Sequence, residues 1–481
     1  MNIGRTTIIL FASKVIGSIL GFTSTIYFAR FLGAETLGIY SVIIALLAWL
    51  RMGGRIGITQ AAIKRISEGE DQGEYFVAST VIISLLLFLL VGFVFLFQTN
   101  IENYVGEFAN YSPIPVTWFI NGILILYMIS TPIKIILHGQ GLVHIAGILN
   151  PIKIASQSLS QVLLVFLGYN LIGLLVGYGL GIIFIAFVGL IFVSVQLKKP
   201  SRHHFRSLIS YAKYSWLSGL KSRAYNDVDI IVLGAFVPQA LIGIYAVAWS
   251  ITRFLDIFGI TISQAMFPEI SNVSTQNLKN ATGLIEDSMA YAGFIVLPGF
   301  VGGVLLSDRL LRIYSSEFTQ GTDVLWILLL SLLFYAYLQQ HLNALNALDR
   351  PDLAFRANFA FIFTNIILNL ILIWKFGWVG AAVASAASAG VGLLISYVSL
   401  KSILIIDYPI REIGKQGIAA IGMGIVVGVV QLIESTYNIV GHNLLATFIL
   451  IGIGSTTYVL ILSTISEMFR ESVKRNVLVF N

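Results

Sequence analysis

The chain contains long runs of apolar residues without a charge, and these runs limit what it can fold into. The segment 76–97 is 22 residues long and carries no Asp, Glu, Lys or Arg. About 20 apolar residues in a helix span the hydrocarbon core of a bilayer, where the backbone must satisfy its own hydrogen bonds. Only 11% of the 481 residues are charged, compared with roughly 25% in soluble domains. A polytopic membrane protein is predicted, which excludes a cytosolic enzyme, a secreted disulfide scaffold and a DNA-binding protein.

The hydropathy pattern predicts an all-α fold with about 14 transmembrane helices and no strands. The first apolar stretch is too long for the core of a signal peptide, so it is expected to be a retained span. The turns Gly33-Ala34-Glu35, Pro238-Gln239 and Lys375-Phe376-Gly377 separate neighbouring spans. The predicted limits are 6–31, 36–63, 75–98, 116–137, 143–168, 170–195, 208–236, 240–268, 284–306, 323–347, 354–375, 378–400, 412–432 and 442–465.

The distribution of Lys and Arg between the loops predicts the orientation. With the N-terminus in the cytoplasm, the inner segments hold 17 basic residues and the outer segments hold four. Cytoplasmic loops are enriched in Lys and Arg. Both termini are therefore expected in the cytoplasm, in a cytoplasmic (plasma) membrane, and the net charge of +6 indicates topology and not nucleic-acid binding.

The chain also repeats itself. The segment Gly38–Val42 recurs as Gly243–Val247, and Thr59-Gln60-Ala61 recurs as Ser263-Gln264-Ala265, at offsets of 205 and 204 residues. Six spans lie between the copies, so the halves are predicted to run in parallel, as in transporters that bind substrate between two repeats. The predicted organisation is an N-terminal six-helix lobe (1–200), a C-terminal six-helix lobe (201–405), and two further helices with a tail (406–481).

The motifs of enzyme chemistry are absent from the sequence. There is no cysteine, which excludes disulfides and thiolate metal sites. No phosphate-binding loop, dinucleotide fingerprint, zinc-protease motif or calcium-binding loop occurs. The protein is expected not to be an enzyme and to hold no metal or cofactor, while coupling to a Na⁺ or H⁺ gradient is one expected source of energy.

The informative residues are cations inside the spans of the N-terminal half. Ionisable groups in a bilayer are costly and generally face a cavity or a partner. No Asp or Glu is expected among these spans, so water or an anionic ligand would balance the charge. For Lys134, Arg55 and Lys153 the alternative is that the side chain reaches the lipid headgroups. The five cations are Lys14, Arg51, Arg55, Lys134 and Lys153.

Arg51 and Arg55 are predicted to lie on one face of a helix, because they are four residues apart. They flank Gly53-Gly54, a pair that permits a bend or a close backbone approach. Arginine binds phosphate in a bidentate manner. This pair therefore indicates a phosphate or diphosphate site.

The second half carries charges of both signs. Arg223 and Asp227 are four residues apart, and Arg253 and Asp256 are three apart, so each pair could be a structural ion pair within a helix. The functional alternative is a site that gates transport or couples it to a cation or proton. The residues assigned to gating or ion coupling are Lys221, Arg223, Asp227, Asp229 and Asp256.

Several of these segments resemble the oligosaccharide flippases of the Wzx type. Their superfamily includes the multidrug and toxin extrusion (MATE) transporters and the lipid II flippases. The resemblance implies an alternating-access transporter with a cationic cavity for a lipid pyrophosphate. It places Lys14, Arg51 or Arg55, and Arg253 at basic positions of that cavity. The similar segments are Ser13–Gly17, Ala29–Gly33, Gly38-Ile39-Tyr40, Gly57–Ser67, Arg253-Phe254-Leu255-Asp256 and Pro268–Ser271.

The predicted function is flipping of an undecaprenyl- or dolichyl-linked oligosaccharide for cell-surface polysaccharide or glycoprotein glycans. The expected partners are this lipid, membrane lipids, and a polysaccharide polymerase or glycosyltransferases, with no nucleic acid. The alternatives are a cation-coupled drug exporter using the acids of the second half, a lipid II flippase, and a non-transporting scaffold. A second basic residue expected in lipid II flippases is missing from 18–26. The predicted ligands of the anionic head group are Lys14, Arg51, Arg55, Lys153 and Arg253.

Overall fold

A computed structural model describes residues 3–55, 57–274, 278–437 and 439–479. Side chains are described within these ranges except those of 3–12, 14, 214–224, 258, 278–280 and 475–479. The chain forms two compact units, Met1–Ala246 and Val247–Asn481. The predicted division into three parts at residues 200 and 405 stays a prediction. It was based on an internal repeat, and the division into compact units does not test whether the chain was duplicated.

The described part of the chain is helical and contains no strand, which confirms the all-α prediction. Short 3₁₀ turns occupy Glu107–Asn110 and Ser316–Gly321. The helices are α1 (Ile3–Gly53), α2 (Ile58–Ser67), α3 (Gln72–Leu96), α4 (Gln98–Val105), α5 (Val116–Gly139), α6 (Val143–Phe166), α7 (Asn170–Leu190), α8 (Arg202–Phe236), α9 (Gln239–Ser274), α10 (Leu278–Leu305), α11 (Ser307–Arg312), α12 (Thr322–Ala347), α13 (Pro351–Lys401), α14 (Ile410–Tyr437), α15 (Asn443–Ile465) and α16 (Glu467–Val479).

Ten of the described helical stretches are long and apolar enough to cross a membrane. Large apolar side chains lie exposed along them, such as Phe88 (67%), Phe187 (70%) and Leu394 (65%). An apolar surface of this extent needs a partner or a lipid environment. Two of the ten stretches contain two spans each, and if α6 and α8, which are 24 and 35 residues long, are also counted as spans, the total agrees with the predicted number of about 14.

The two double spans divide at the predicted turns. Helices α1 and α13 are each 51 residues long, about 77 Å at 1.5 Å per residue and more than twice the thickness of a hydrocarbon core. Each contains one non-helical glycine, Gly33 (φ 80°) and Gly377 (φ 58°). Glycine adopts positive φ without steric cost, so these residues set the points at which one span ends and the next begins.

The predicted second span, 36–63, is not one helix. Helix α1 ends at Gly53 and α2 begins at Ile58. Gly54 is buried between them, and a Cβ atom there would lie 2.5 Å from Leu87 of α3. The chain therefore breaks where its backbone needs to approach α3 closely, as the glycine pair permits.

The repeated motif forms a close helix crossing within the first unit. A Cβ on Gly38 of α1 would lie 1.8 Å from the carbonyl oxygen of Gln239, and one on Gly243 of α9 would lie 1.9 Å from that of Ala34. The two backbones therefore touch, as at crossings built from small residues. Residues 34 and 239, like 38 and 243, are separated by 205 positions, so each copy of the motif makes the same contact with the other.

The segment between α3 and α5 is attached next to this crossing. The hydroxyl of Tyr104 donates a hydrogen bond to the carbonyl of Ile231 (2.5 Å), and Nε2 of Gln239 donates to the carbonyl of Val105 (3.2 Å). A Cβ on Gly234 would lie 2.6 Å from the Tyr104 hydroxyl. These contacts tie α4 to the end of α8 and the start of α9.

In the second unit, the last two spans pack on α10 and share its apolar core. Leu306, Met423, Val427, Leu450 and Leu462 belong to one buried cluster. Polar contacts support it: Arg309 forms an ion pair with Glu434, and Gln416 donates to the carbonyl of Ala290 (3.0 Å). Helices α14 and α15 are thus integral to this unit.

Candidate functional site

The first unit contains a cavity of about 530 Å³ between the end of α1 and helices α5, α6 and α7. One wall is apolar, with Ile133, Leu137, Leu149 and Ala186 packed in a buried cluster. The lining also includes polar and basic side chains. This volume lies within the range of small-molecule sites.

Among the residues that the structure describes, four cationic side chains and no Asp or Glu line the cavity. They come from the end of α1 (Arg51), the α1–α2 turn (Arg55), α5 (Lys134) and α6 (Lys153). Lys134 experiences the repulsion of the other three. A group of like charges beside low-dielectric walls focuses its field into the cavity, so the site is built to attract an anion.

Two tyrosines organise three of these cations. The Cζ atoms of Arg51 and Arg55 lie 4.4 Å and 5.8 Å from the ring centre of Tyr127. The hydroxyls of Tyr127 and Tyr178 are hydrogen-bonded at 2.7 Å, and Nζ of Lys153 lies 5.6 Å from the Tyr178 ring. A cation over an aromatic ring gains about 0.5–2 kcal/mol. The rings therefore hold the cations together without supplying an acid that would compete with an anionic ligand.

Close packing of α6 on α7 brings Lys153 to Tyr178. Gly177 and Gly181 of α7 face Gln161 and Gln157 of α6, and a Cβ on either glycine would lie 2.6 Å from the facing glutamine. Larger residues would push the helices apart. The four-residue spacing of these glycines thus positions the cavity wall.

Of the predicted head-group ligands, Arg51, Arg55 and Lys153 are brought together in this cavity. The prediction that Arg51 and Arg55 share one helix face is wrong, because the helix ends at Gly53. Both nevertheless approach the same tyrosine ring. The side chain of Lys14 lies outside the described residues, although its backbone belongs to α1. Arg253 belongs to the second unit, where its side chain is exposed.

The residues predicted to gate transport or couple it to ions have different surroundings. The side chains of Lys221 and Arg223 lie outside the described residues. Asp227 interacts electrostatically with Arg51, which corrects the expectation that the cations of the N-terminal half have no acidic neighbour. Asp229 is buried and accepts a hydrogen bond from Tyr245 (2.5 Å). Asp256 is buried in the second unit.

Lys134 and the two tyrosines were not assigned to the site from sequence. Tyr127, Lys134 and His138 all line the cavity from α5, and their spacing of seven and four residues places them on one helix face. This spacing could have identified Tyr127 as a site residue from the sequence. No sequence pattern identified Tyr178, because Tyr127, to which its hydroxyl is hydrogen-bonded, is 51 residues away in the chain. Within the described residues, no group of three or more His, Asp or Glu could hold a metal ion.

The fold and the cavity define a multi-span membrane protein with a cationic site, and comparisons with known proteins agree with this class. A family profile described as polysaccharide biosynthesis protein matches residues 3–274. The chain belongs to this family, which confirms the resemblance found in the sequence.

Two relatives from Haloferax volcanii match almost the whole chain. One is named a probable flippase, AglR, and is 30% identical over 98% of both chains. The other is named a probable low-salt glycan biosynthesis flippase, Agl15, and is 31% identical over 99% of both. Among solved structures, a lipid II flippase, MurJ, in an inward closed conformation has a TM-score of 0.76 at 20% identity. It covers 97% of this chain and 100% of its own, and at this identity it supports the fold alone.

Replacing Tyr127 tests the role of the ring. In Tyr127→Leu, the concentration of lipid-linked substrate needed for half-maximal flipping should rise about tenfold, because Arg51 and Arg55 lose their shared ring. Tyr127→Phe keeps the ring and should stay within a few-fold of the wild type. Flipping by the purified protein in liposomes, measured against substrate concentration, provides the readout. Tyr169→Leu is the control, since Tyr169 is 55% exposed and does not line the cavity.

Proposed function

We propose that the protein flips a polyprenyl phosphate- or pyrophosphate-linked oligosaccharide across the cytoplasmic membrane by alternating access. The cavity, whose described lining has four cations and no acid, carries this proposal. Desolvating a phosphate is costly unless cations replace its water, and Arg51 and Arg55 offer two guanidinium groups that suit it. The name of one Haloferax relative, a probable low-salt glycan biosynthesis flippase, supports a glycan substrate, and the name of the other supports flipping.

In the proposed cycle, the sugar phosphate head group enters the cavity while the lipid chain remains in the bilayer. The bias of Lys and Arg supports cytoplasmic termini. With this orientation the basic residues meet a substrate that is assembled on the cytoplasmic side. The protein would act as a transporter without catalysis and be driven by a Na⁺ or H⁺ gradient. Glycosyltransferases that build the oligosaccharide, or a polymerase that consumes it, are the proposed protein partners.

The lining of the cavity disfavours a drug exporter. An organic cation needs an acid to balance its charge, whereas the described residues of the cavity wall include four cations and no Asp or Glu. Asp227 interacts with Arg51 and is thus close to a competing cation. The same cations have no use in a scaffold that does not transport.

Depletion of the protein from its host tests the proposal. Polyprenyl-linked oligosaccharide should accumulate, and an impermeant glycan-modifying enzyme should fail to reach it from outside intact cells. Mass spectrometry of the lipid extract would identify the glycan. Restored access on expression of the wild-type protein completes the expected result. Unchanged amount and sidedness of the lipid would refute the proposal.

A further inference from the structure

Helix α5 also contributes a histidine to the cavity wall. His138 lines the cavity and lies in the last turn of α5, which ends at Gly139. It is four residues beyond Lys134, so both side chains share one face of the helix, with Cβ atoms about 5–6 Å apart. Lys134 also lines the cavity. A phosphate group is therefore large enough to contact both side chains at once.

The imidazole of His138 is available to a ligand. No residue within the described ranges forms a hydrogen bond with its ring nitrogens, and both nitrogens are accessible in the half-buried side chain. His144 at the start of α6 differs, because its Nδ1 is buried and has no partner among the described residues. A ring that lines a cavity with accessible nitrogens can donate or accept a hydrogen bond there.

His138 is also the residue of the described lining whose charge changes most readily near neutral pH. In an ordinary environment histidine has a pKa of about 6.5, whereas tyrosine, lysine and arginine have pKa values of about 10 or above. The hydroxyl and amide groups of the lining carry no charge at any pH of interest. The charge of the cavity can therefore follow its occupancy through His138.

The ionisable groups that surround His138 in the described lining are basic or phenolic. The charge of Lys134 acts on the imidazole. Helix α7 lines the cavity with apolar side chains, whereas the end of α1, the turn after it, α5 and α6 contribute the ionisable ones. The ionisable lining residues besides His138 are Tyr127, Lys134, Arg51, Arg55 and Lys153.

Two acidic side chains on helices packed against α5 have cationic neighbours of their own. Helices α2 and α3 both pack on α5. Glu68 at the end of α2 lies 3.0 Å from Arg65 and 3.8 Å from Lys64. Glu74 in the first turn of α3 lies 4.0 Å from Lys198. Neither of these two carboxyl groups lines the cavity, so they do not compete with a ligand for His138.

The empty and the occupied cavity favour different protonation states of His138. Lys134 already experiences the repulsion of Arg51, Arg55 and Lys153, so a further permanent cation beside it would be costly. A neutral imidazole adds no charge to the empty cavity. A bound anion favours the charged form of a neighbouring base, and the carbonyl end of α5 also favours a cation in its last turn.

We infer that His138 takes up a proton when the anionic head group binds, and that its imidazolium then donates a hydrogen bond to a phosphate oxygen held by Lys134. The proton comes from water in the cavity and returns to water when the head group leaves. This inference rests on the proposed function and adds a head-group ligand that is charged only while the substrate is bound. A proton thus accompanies each head group that the site binds.

Proton uptake is measured by isothermal titration calorimetry on the purified full-length protein in detergent. The probe is citronellyl diphosphate linked to glucose, a diester without the phosphate proton that titrates near pH 6 in a monoester. In Pipes, Hepes and Tris buffers, the slope of the observed heat against the ionisation enthalpy of the buffer gives the number of protons taken up. This slope should reach about half a proton per probe between pH 6 and pH 8. The affinity should be about fourfold higher at pH 6 than at pH 8.

His138→Gln should bind the probe with a slope near zero and with the same affinity at pH 6 and pH 8. His138→Asn is a second neutral variant, which serves if the first fails to fold. His203→Gln is the matched control, because His203 is exposed on α8 and does not line the cavity, and its slope should equal that of the wild type. Tyr127→Phe removes a phenol of the lining and should keep the slope.

Three outcomes separate the inference from the proposed function. Wild-type binding without proton uptake at every pH from 6 to 8, together with loss of binding in Arg51→Gln, would overturn the role of His138 and leave the flippase. Uptake that persists in His138→Gln, or that disappears in Tyr127→Phe, would assign the proton to another group and overturn the inference. Failure of the wild type to bind the probe, or binding unaffected by Arg51→Gln, would overturn the proposed phosphate site itself.

Discussion

Replacement of Arg51 by alanine is expected to reduce flipping of the lipid-linked oligosaccharide at least tenfold, while the protein still folds and inserts. The side chain is half-buried in the cavity and lies 4.4 Å from the Tyr127 ring. A charge-assisted contact with phosphate contributes about 1.5–3 kcal/mol, and each 1.4 kcal/mol is a factor of ten in affinity. The measurement is export of the glycan in depleted cells that express the variant at the native level.

Arg65→Ala provides the matched control. Arg65 lies near the end of α2, outside the lining of the cavity, and pairs with Glu68 at 3.0 Å. An exposed pair of this kind contributes little to stability, so export should remain normal. Normal export by the Arg51 variant would contradict the phosphate site, provided that membrane levels of both variants equal that of the wild type.

Gly38→Ala is expected to destabilise the first unit by about 3 kcal/mol or more. The added Cβ would lie 1.8 Å from the carbonyl oxygen of Gln239 and 2.6 Å from its carbon. These are backbone atoms and cannot rotate away, so α1 and α9 would need to separate. Overpacking of a well-packed contact costs about 1–3 kcal/mol, and occasionally more. The apparent Tm of the purified protein in detergent should fall by several degrees.

Gly92→Ala in α3 is the control, because no atom lies within 4 Å of the added Cβ. Its Tm should be unchanged or slightly raised, since alanine is preferred to glycine inside a helix. Gly243→Ala should resemble Gly38→Ala, and the double variant should be less destabilised than the sum, because both residues form one contact. A wild-type Tm in Gly38→Ala would show that the crossing is not tightly packed in solution.

The number of spans and their turns followed from sequence because they depend on local properties. The hydropathy of a segment identifies it as a span whatever its position in the fold. The turns at Gly33 and Gly377 need a residue that tolerates positive φ. The membership of the family was also readable from local motifs. These features required no knowledge of which helices are neighbours.

The cavity depends on which helices are neighbours in the fold, so it was predicted only in part from the sequence. Arg51 and Arg55 were identified from charge and spacing, but their meeting on Tyr127 results from a turn at Gly54 that departs from helix geometry. Lys134 lies near the end of its predicted span, a position that suits lipid headgroups equally well. Only the packing of α5, α6 and α7 places it beside the other cations.

The crossing of α1 and α9 has a consequence for the history of the chain. Ala34 meets Gly243 and Gln239 meets Gly38, so the contact is isologous, as at the two-fold axis of a homodimer. If the predicted duplication holds, a six-span ancestor formed this contact with a second copy of itself. Positions 204 or 205 beyond Arg51 and Arg55 hold Leu255, Asp256, Gly259 and Ile260. None of them is basic, so the predicted duplication would confine the arginine pair to one copy, a difference that a single fused chain permits and a symmetric dimer does not.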